Sequence, residues 1–373
     1  MSKKLSRKSN LKKDVNESSD NEIIKLEGRL QLKEQENRDL KRKLKLSYTD
    51  NSVLEVFRDE LDDLVKPIRQ LPKRPIIKTS AKNREHLVMH ISDQHADQVI
   101  LPESVGGLES YDMNVALCRA ENYVDKTLEY VSNMRNYKFD ELWILMYGDH
   151  VSGEIHGAEH ESFYRNMIRN SIAVGQMNSL MIRDMASFFP KVNVVCVVGN
   201  HGRRSVKKDY TKPRSNWDYL VFEHAKMMCK DLKNVEFTIP NSFSVNVDIN
   251  GCGFNVNHGD DVQSYNSLPW YGIERKTRRL VALNSSQGNH IDYFVFGHFH
   301  TSTMMANLNG ETIINGAWLA TDPYAYNKLS TYNTPKQWIH GVDKDGISWR
   351  YGVKLADKSY EKAGPKRYKI DLA

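Results

Sequence analysis

Five short segments of this 373-residue chain carry side chains that could hold a metal: Asp93-x-His95, Gly148-Asp149, Gly199-Asn200-His201, His258-Gly259 and Gly297-His298-x-His300. Carboxylate oxygens mixed with neutral imidazoles suit borderline divalent cations such as manganese, iron or zinc. An all-oxygen set would favour magnesium or calcium. Thiolates take no part: Cys118, Cys196, Cys229 and Cys252 lie far apart, form no Cys-x-x-Cys pair, and have flanks that read as helix or strand interiors. They are expected as small core residues in a reducing compartment, not as bridges or structural zinc ligands.

These segments need elements that bring them together. Hydrophobic patterning predicts strands over 86–92, 141–147 and 192–198 and helices over 113–134, 161–188 and 216–230, a β-α-β rhythm. The second half changes character. Runs at 242–247 and 254–258 pair around Asn250-Gly251, a strong hairpin signal, and further strands are predicted at 293–296, 302–306, 312–314, 337–342 and 347–351. Asp93, Asp149, Asn200, His258 and His298 all sit where a predicted strand stops. In open α/β sheets ligands gather at the carboxyl ends of strands, where loops converge without disturbing the packed sheet. Just past a strand end, a turn can aim both members of a pair two positions apart, such as Asp93 and His95 or His298 and His300, into one site.

The order D-x-H, G-D, G-N-H, H-G and G-H-x-H, running from Asp93 to His300, resembles that of the calcineurin-like metallophosphoesterases and is similar to their repair-exonuclease branch. Each motif alone is weak, and all five in order after strands are a strong signal. The resemblance implies a four-layer α/β/β/α sandwich with two mixed sheets. It also implies that Asp93, His95 and His300 hold one metal, that Asn200, His258 and His298 hold a second, and that Asp149 bridges both. Two divalent ions, manganese first with iron or zinc as alternatives, would then activate a bridging hydroxide for in-line attack on a phosphoester. By the same carry-over His201 donates a proton to the leaving oxygen or stabilises the transition state, a role that contributes about 10² to 10⁴ in rate.

One departure bears on that role. Many relatives follow G-N-H with an acid that orients the histidine, and here Gly202, Arg203 and Arg204 follow. Either another group supplies the contact or Arg203 and Arg204 take over part of the phosphate stabilisation as substrate-binding residues. Two basic runs lie between metal motifs. The first is Arg203, Arg204, Lys207, Lys208, Lys212 and Arg214 with Tyr210 and Trp217; the second is Arg275, Lys276, Arg278 and Arg279 after Trp270 and Tyr271. Cationic loops with aromatics suit a polyanion such as DNA or RNA, and a solvated face, with Trp270 and Tyr271 in the core, is the plain alternative. A nuclease-like phosphodiesterase is the leading reading and a phosphomonoesterase acting on proteins or nucleotides the second.

Other histidines have plainer readings. His86 and His90 alternate along the first strand and His224 lies in an apolar helix, so packing suffices for all three. His150 adjoins Asp149 and can face substrate or point away. The insertion holding His156 and His160 could gate the site or bind a third metal, although acids at a helix start need no such explanation.

The chain carries a formal net charge of +6, with 40% hydrophobic and 27% charged residues, ordinary for a globular protein and exclusive of collagen-like, wholly disordered and disulfide-scaffold classes. Residues 1–20 read as a basic tail. From 21 to 66, Ile23, Leu26, Leu30, Leu40, Leu44, Leu54, Leu61 and Val65 trace a heptad seam interrupted by Lys33, Asn37, Ser47, Asn51 and Arg58. That helical arm is either a coiled coil pairing two copies or a helix lying on its own domain. If the former dominated, the chain would be an assembly protein with a vestigial phosphoesterase domain, but drift would be expected to remove at least one of the seven ligands. Pro67, Pro72 and Pro75 make 67–85 a linker, 86–355 the phosphoesterase domain and 356–373 a tail. No uncharged apolar run approaches the roughly 18 residues of a membrane span, and the charged start lacks an apolar leader, so a cytoplasmic protein without a membrane partner is expected.

Overall fold

The computed structural model of the chain describes residues 29, 33, 83–155, 161–263, 269–307 and 310–370. The chain divides into two compact units, Met1–Lys66 and Pro67–Ala373. In the first, Arg29 and Lys33 are helical and exposed; the basic tail, the heptad seam, most of the linker, and His156 and His160 lie outside the described residues.

The second unit begins with β1 (Asn83–Ile91), the short β2 (Gln98–Val99), α1 (Met113–Asn133) and β3 (Tyr137–Tyr147). There follow β4 (Glu161–Ser162), α2 (Met167–Ala186), β5 (Lys191–Val197), α3 (Trp217–Met228) and β6 (Val235–Thr238). Next come β7 (Ser244–Ile249), β8 (Cys252–Asn257), α4 (Trp270–Ser286), β9 (Tyr293–Phe296), β10 (Thr303–Asn307) and β11 (Gly310–Ile314). The chain closes with β12 (Lys336–Asp343), β13 (Gly346–Lys354) and α5 (Lys358–Ala363).

Six strands form one sheet in the order β13-β12-β1-β3-β5-β6, and five form a second in the order β10-β11-β9-β8-β7. Both are mixed. In the first, β1, β3, β5 and β6 run parallel while β12 and β13 pair antiparallel; in the second, β8, β9 and β11 run parallel and the two edge strands antiparallel. Period-two alternation places Val88, Leu145, Tyr147, Val195 and Val197 against Phe254, Val256 and Val295 in one core between the sheets. The intervening residues Met89, Ile144, Met146 and Val194 are buried too, so the central strands are covered on both faces, as parallel strands require. Helix α1 packs on β13 and α2 on β5 of the first sheet, and α3 packs on α2. On the second, Ile273, Leu280 and Val281 of α4 pack on Phe294, Phe296 and Ile314. The result is the expected α/β/β/α order of layers.

Helix starts follow side-chain caps: Asp112 for α1, Asn166 for α2 and Asn216 for α3 each accept amides of the first turn. Asn166 explains one difference from the predicted 161–188 helix, since the cap begins α2 at Met167 and leaves Glu161–Ser162 to pair with β2. The second basic run is not a loop. It rides on α4, which buries only Gly272, Ile273, Thr277 and Asn284, too narrow an apolar stripe to read through the lysines and arginines. Residues 356–370, expected as a tail, dock on the domain. Glu121 accepts the amides of Lys366, Arg367 and Tyr368, and Tyr368 is fully buried with its hydroxyl donating to Asp184 at 3.2 Å.

Candidate metal centre

The motif segments leave the carboxyl ends of β1, β3 and β5 in one sheet and β8 and β9 in the other. Their backbone is unusual. Asp93, His95, Asp149, His298 and His300 all adopt positive φ, between 44° and 68°, and the other described non-glycine residues that do so are Asn250 in the hairpin and Ser330. Such left-handed residues cost roughly 1–2 kcal/mol each and persist only where surroundings hold them. Here amides lock the turns together: Asp93 N donates to Gly148 O and His95 N to Asp149 O, both at 3.0 Å, and Gly297 N donates to His258 O at 2.8 Å. The left-handed turns aim both members of each spaced pair inward.

All seven expected ligands meet. The donor atoms of Asp93, His95 and His300 lie within 4.8 Å of one another, as do those of Asp149, His258 and His298, and of His95, Asp149 and His201. Asn200 Oδ1 is 3.0 Å from His258 Nε2. Asp93, His95, Asp149, Asn200 and His258 are buried, while the His300 side chain is 26% exposed and marks the mouth.

The contacts inside the cluster call for a cation. His258 donates from Nδ1 to the Tyr147 carbonyl at 2.9 Å, which in the neutral ring leaves a lone pair on Nε2. That lone pair faces Asp149 Oδ2 at 2.9 Å, an oxygen that receives no aligned hydrogen bond. His95 Nε2 and His300 Nε2 approach to 3.3 Å. Acceptors set against acceptors need a positive charge between them, and two carboxylates, four imidazoles and one amide form a donor set suited to divalent ions. Without metal a proton takes part of that place. Burial opposes protonation of His258, but Asp149, then Asp93 and Asp260, push it up to about 10. Burial also raises Asp149, and His258 and His201 outweigh it and hold that carboxyl well below its usual range. Burial raises Asp93 and takes His298 down to about 3.

Supporting contacts fix the ligands. Ser92 Oγ donates to Asp93 Oδ2 at 2.5 Å and accepts from Asn315 at 3.0 Å; His298 N donates to Asp93 Oδ1 and His201 N to Asp149 Oδ1, each at 2.8 Å. Gly148 and Gly199 are required by close approach, since a Cβ on Gly148 would lie 2.5 Å from the Gly199 backbone and one on Gly199 would lie 2.2 Å from Asp149 Oδ1. Sequence reasoning missed Asp218. Fully buried on the first turn of α3, it accepts the amides of Asp149 (2.9 Å), His150 (3.0 Å) and Gly199 (2.8 Å), and burial together with the Asp149 charge pushes its carboxyl up to about 7. An acid two residues after a capping Asn reads as helix-start chemistry, so the sequence carries no separate signal for it.

His201 finds its orienting group in the backbone. Its Nδ1 donates to the Ser152 carbonyl at 3.1 Å, and its ring stands edge-on to His95 with centroids 4.6 Å apart. Arg203 Nε donates to the Asn200 carbonyl at 3.0 Å, and the Arg204 guanidinium lies 5.7 Å over the Trp217 ring. His150 points away from the centre. It is buried against Phe222, contacts Gln94 at 2.5 Å, and burial takes it down to about 3. His90 contacts Tyr147 Oη and His340 in the core, and His224 is buried. In the second basic run, Arg275 bonds Gln263, Lys276 pairs with Asp261 and Arg278 with Glu274; Trp270 and Tyr271 are exposed, not core.

No family model and no curated protein matches the chain. Among solved structures, a vacuolar sorting protein Vps29 from Entamoeba histolytica, complexed with zinc, shares 12% identity over 73% of this chain and 94% of its own at a TM-score of 0.33. A novel archaeal phosphodiesterase shares 10% identity over 71% and 99% at 0.32, and a hypothetical protein from Pyrococcus horikoshii 11% over 75% and 92% at 0.37. Overlap at those scores is partial, and the fold and centre stand on the sheets and side chains themselves. Among the described residues no helix is long and apolar enough to cross a membrane. In motif order, in its two mixed sheets between helical layers, and in the meeting of its motif side chains, the chain resembles the calcineurin-like metallophosphoesterases.

Proposed function

We propose that the chain is a dimetal phosphoesterase. The observation that carries this reading is the sharing of Asp149 between two ligand groups, one with His258 and His298 and the other with His95 and His201, beside Asp93 and His300. Asp93, His95 and His300 would hold one divalent ion, Asn200, His258 and His298 the second, with Asp149 common to both and manganese the first candidate. When bound, such a pair supplies an activated water and neutralises charge on the phosphoryl oxygens.

The protein's own groups do the rest. Ser152 holds the His201 ring at Nδ1, which leaves Nε2 to carry the proton that a leaving oxygen takes up. Tyr147 O fixes the His258 tautomer, and Ser92 and the His298 amide fix Asp93. The finer reading is a phosphodiester, with nucleic acid as first candidate, supported by Arg203, Arg204 and Lys207 on the loop that follows Asn200.

The test is hydrolysis of bis(p-nitrophenyl) phosphate and p-nitrophenyl phosphate with added Mn²⁺, alongside single- and double-stranded DNA and RNA and elemental analysis. Diester turnover with two metals per chain is expected. Two bound metals with every phosphoester left intact would overturn the hydrolase reading in favour of an assembly role, and faster monoester turnover would overturn the diester reading alone.

A further inference from the structure

Lys208, in the middle of the first basic run, does not face solvent. Its side chain is 12% exposed and pairs at 2.6 Å with Asp260, itself 11% exposed, two residues beyond His258. The ammonium also lies 5.0 Å from the ring centres of both Tyr210 and Phe243. Lys276 of α4 reaches Asn257 Oδ1 at 3.0 Å, pairs with Asp261, and lies 5.3 Å from the Phe296 ring centre. Lys208, Lys276, Tyr210, Phe243, Asp260 and Asp261 line a cleft open to solvent that also reaches His258.

The composition of this cleft is specific. Buried ammonium groups are costly unless paired, and two of them stand here beside a centre built to bind phosphate. Each has three N–H donors; among the described residues Lys208 gives one to protein and Lys276 two. Tyr210 is 67% exposed and lines the cleft. Aromatic rings with an ammonium group beside them suit a planar aromatic group attached to a phosphate. The cleft meets the centre through His258, on the Oδ2 side of Asp149, whereas the His201 amide holds Oδ1.

We propose that the cleft is a subsite for the second, non-leaving substituent of a phosphodiester, and that this substituent is a nucleobase-like aromatic group carried on a nucleotide. The assignment rests on the phosphoesterase reading and narrows it. A reacting monoester carries only its leaving substituent and has no second group to place there, so Tyr210 and Phe243 become residues that set preference for diesters.

The experiment pairs activity with binding. In the Tyr210→Ala/Phe243→Ala variant, kcat/KM for bis(p-nitrophenyl) phosphate is expected to fall about tenfold, in the range of lost base–aromatic stacking, with p-nitrophenyl phosphate turnover unchanged. Tyr210→Phe keeps the ring and should retain the diester rate, which separates stacking from a folding defect. Separately, thymidine 5′-monophosphate titrated into metal-free protein should bind wild type and Tyr210→Phe and bind the double variant about tenfold more weakly. Equal loss on both esters, or nucleotide binding that is absent from wild type or unaltered in the double variant, overturns the subsite. Ring-dependent nucleotide binding without hydrolysis of any ester would uphold the subsite and overturn the hydrolase reading.

Discussion

The amide of Asp149 donates to the buried carboxylate of Asp218 at 2.9 Å, and the same oxygen accepts the Gly199 amide at 2.8 Å. One side chain on α3 thereby ties the loop after β3 to the loop after β5, the two that carry Asp149, Asn200 and His201. Asn in place of Asp218 can keep its oxygen toward those two amides, but its NH₂ then opposes the His150 amide that the other oxygen now accepts at 3.0 Å. Asp218→Asn should cost roughly 1.5–3 kcal/mol of stability and weaken Mn²⁺ binding about 10- to 100-fold while the fold is kept. Urea unfolding and calorimetric titration measure the two effects, and unaltered metal affinity would remove Asp218 from the support of the centre.

Asp149 and His201 should separate cleanly. Asp149 is common to both expected ion positions, whereas His201 shares only the group with His95 and Asp149 and has its Nδ1 held by the Ser152 carbonyl. Asp149→Asn is expected to lose metal occupancy and activity together. His201→Ala should retain metal and lose about 10² to 10⁴ in turnover. Elemental analysis beside a rate assay decides it; equal metal loss in both variants would refute the division of roles.

Metal should stabilise the fold as well as equip it. His258 Nε2 and Asp149 Oδ2 at 2.9 Å are contributed by different sheets, so a cation there joins the two halves of the sandwich. A ligand at a hundredfold excess over its Kd adds about 2.7 kcal/mol. Mn²⁺ should therefore raise the melting temperature, EDTA should reverse the rise, and Asp149→Asn should abolish it. A melting temperature indifferent to both metal and chelator would contradict the ligand assignment.

The centre was legible in the sequence because its residues are chemically unusual at the places where strands end. Aspartate and histidine after β1, β3, β5, β8 and β9 have no packing reason to be there, and the strands themselves show in their Val, Ile and Phe runs. What the sequence hid is of two kinds. Residues such as Asp218 and Ser152 act through backbone groups distant in the chain, so no local pattern marks them. The loop and helix carrying Lys208 and Lys276 read, from their charge, as polyanion-binding loops or a solvated face, yet both lysines are largely covered by pairing with Asp260 and Asp261. Tyr368 was hidden for the first reason: its partner Asp184 lies on α2, far upstream.

A last prediction concerns acid. His224 is buried in α3 with neither ring nitrogen hydrogen-bonded among the described residues, and burial holds its imidazole at about 4 against an ordinary 6.5. Between those two values the unfolded chain binds a proton that the folded chain refuses, so stability falls as pH falls, by about 1.4 kcal/mol per unit. Above 6.5 both states are neutral and the contribution is level; below 4 both are charged and it is level again. His224→Leu removes the titration while keeping an apolar side chain in the same place. Urea unfolding in EDTA at steps from pH 7 to pH 4 should show wild type losing roughly 3 kcal/mol more than the variant. EDTA keeps metal release from the centre out of the comparison. Parallel losses in the two proteins would mean that His224 is protonated inside the fold or reaches water, and that its burial carries no acid penalty.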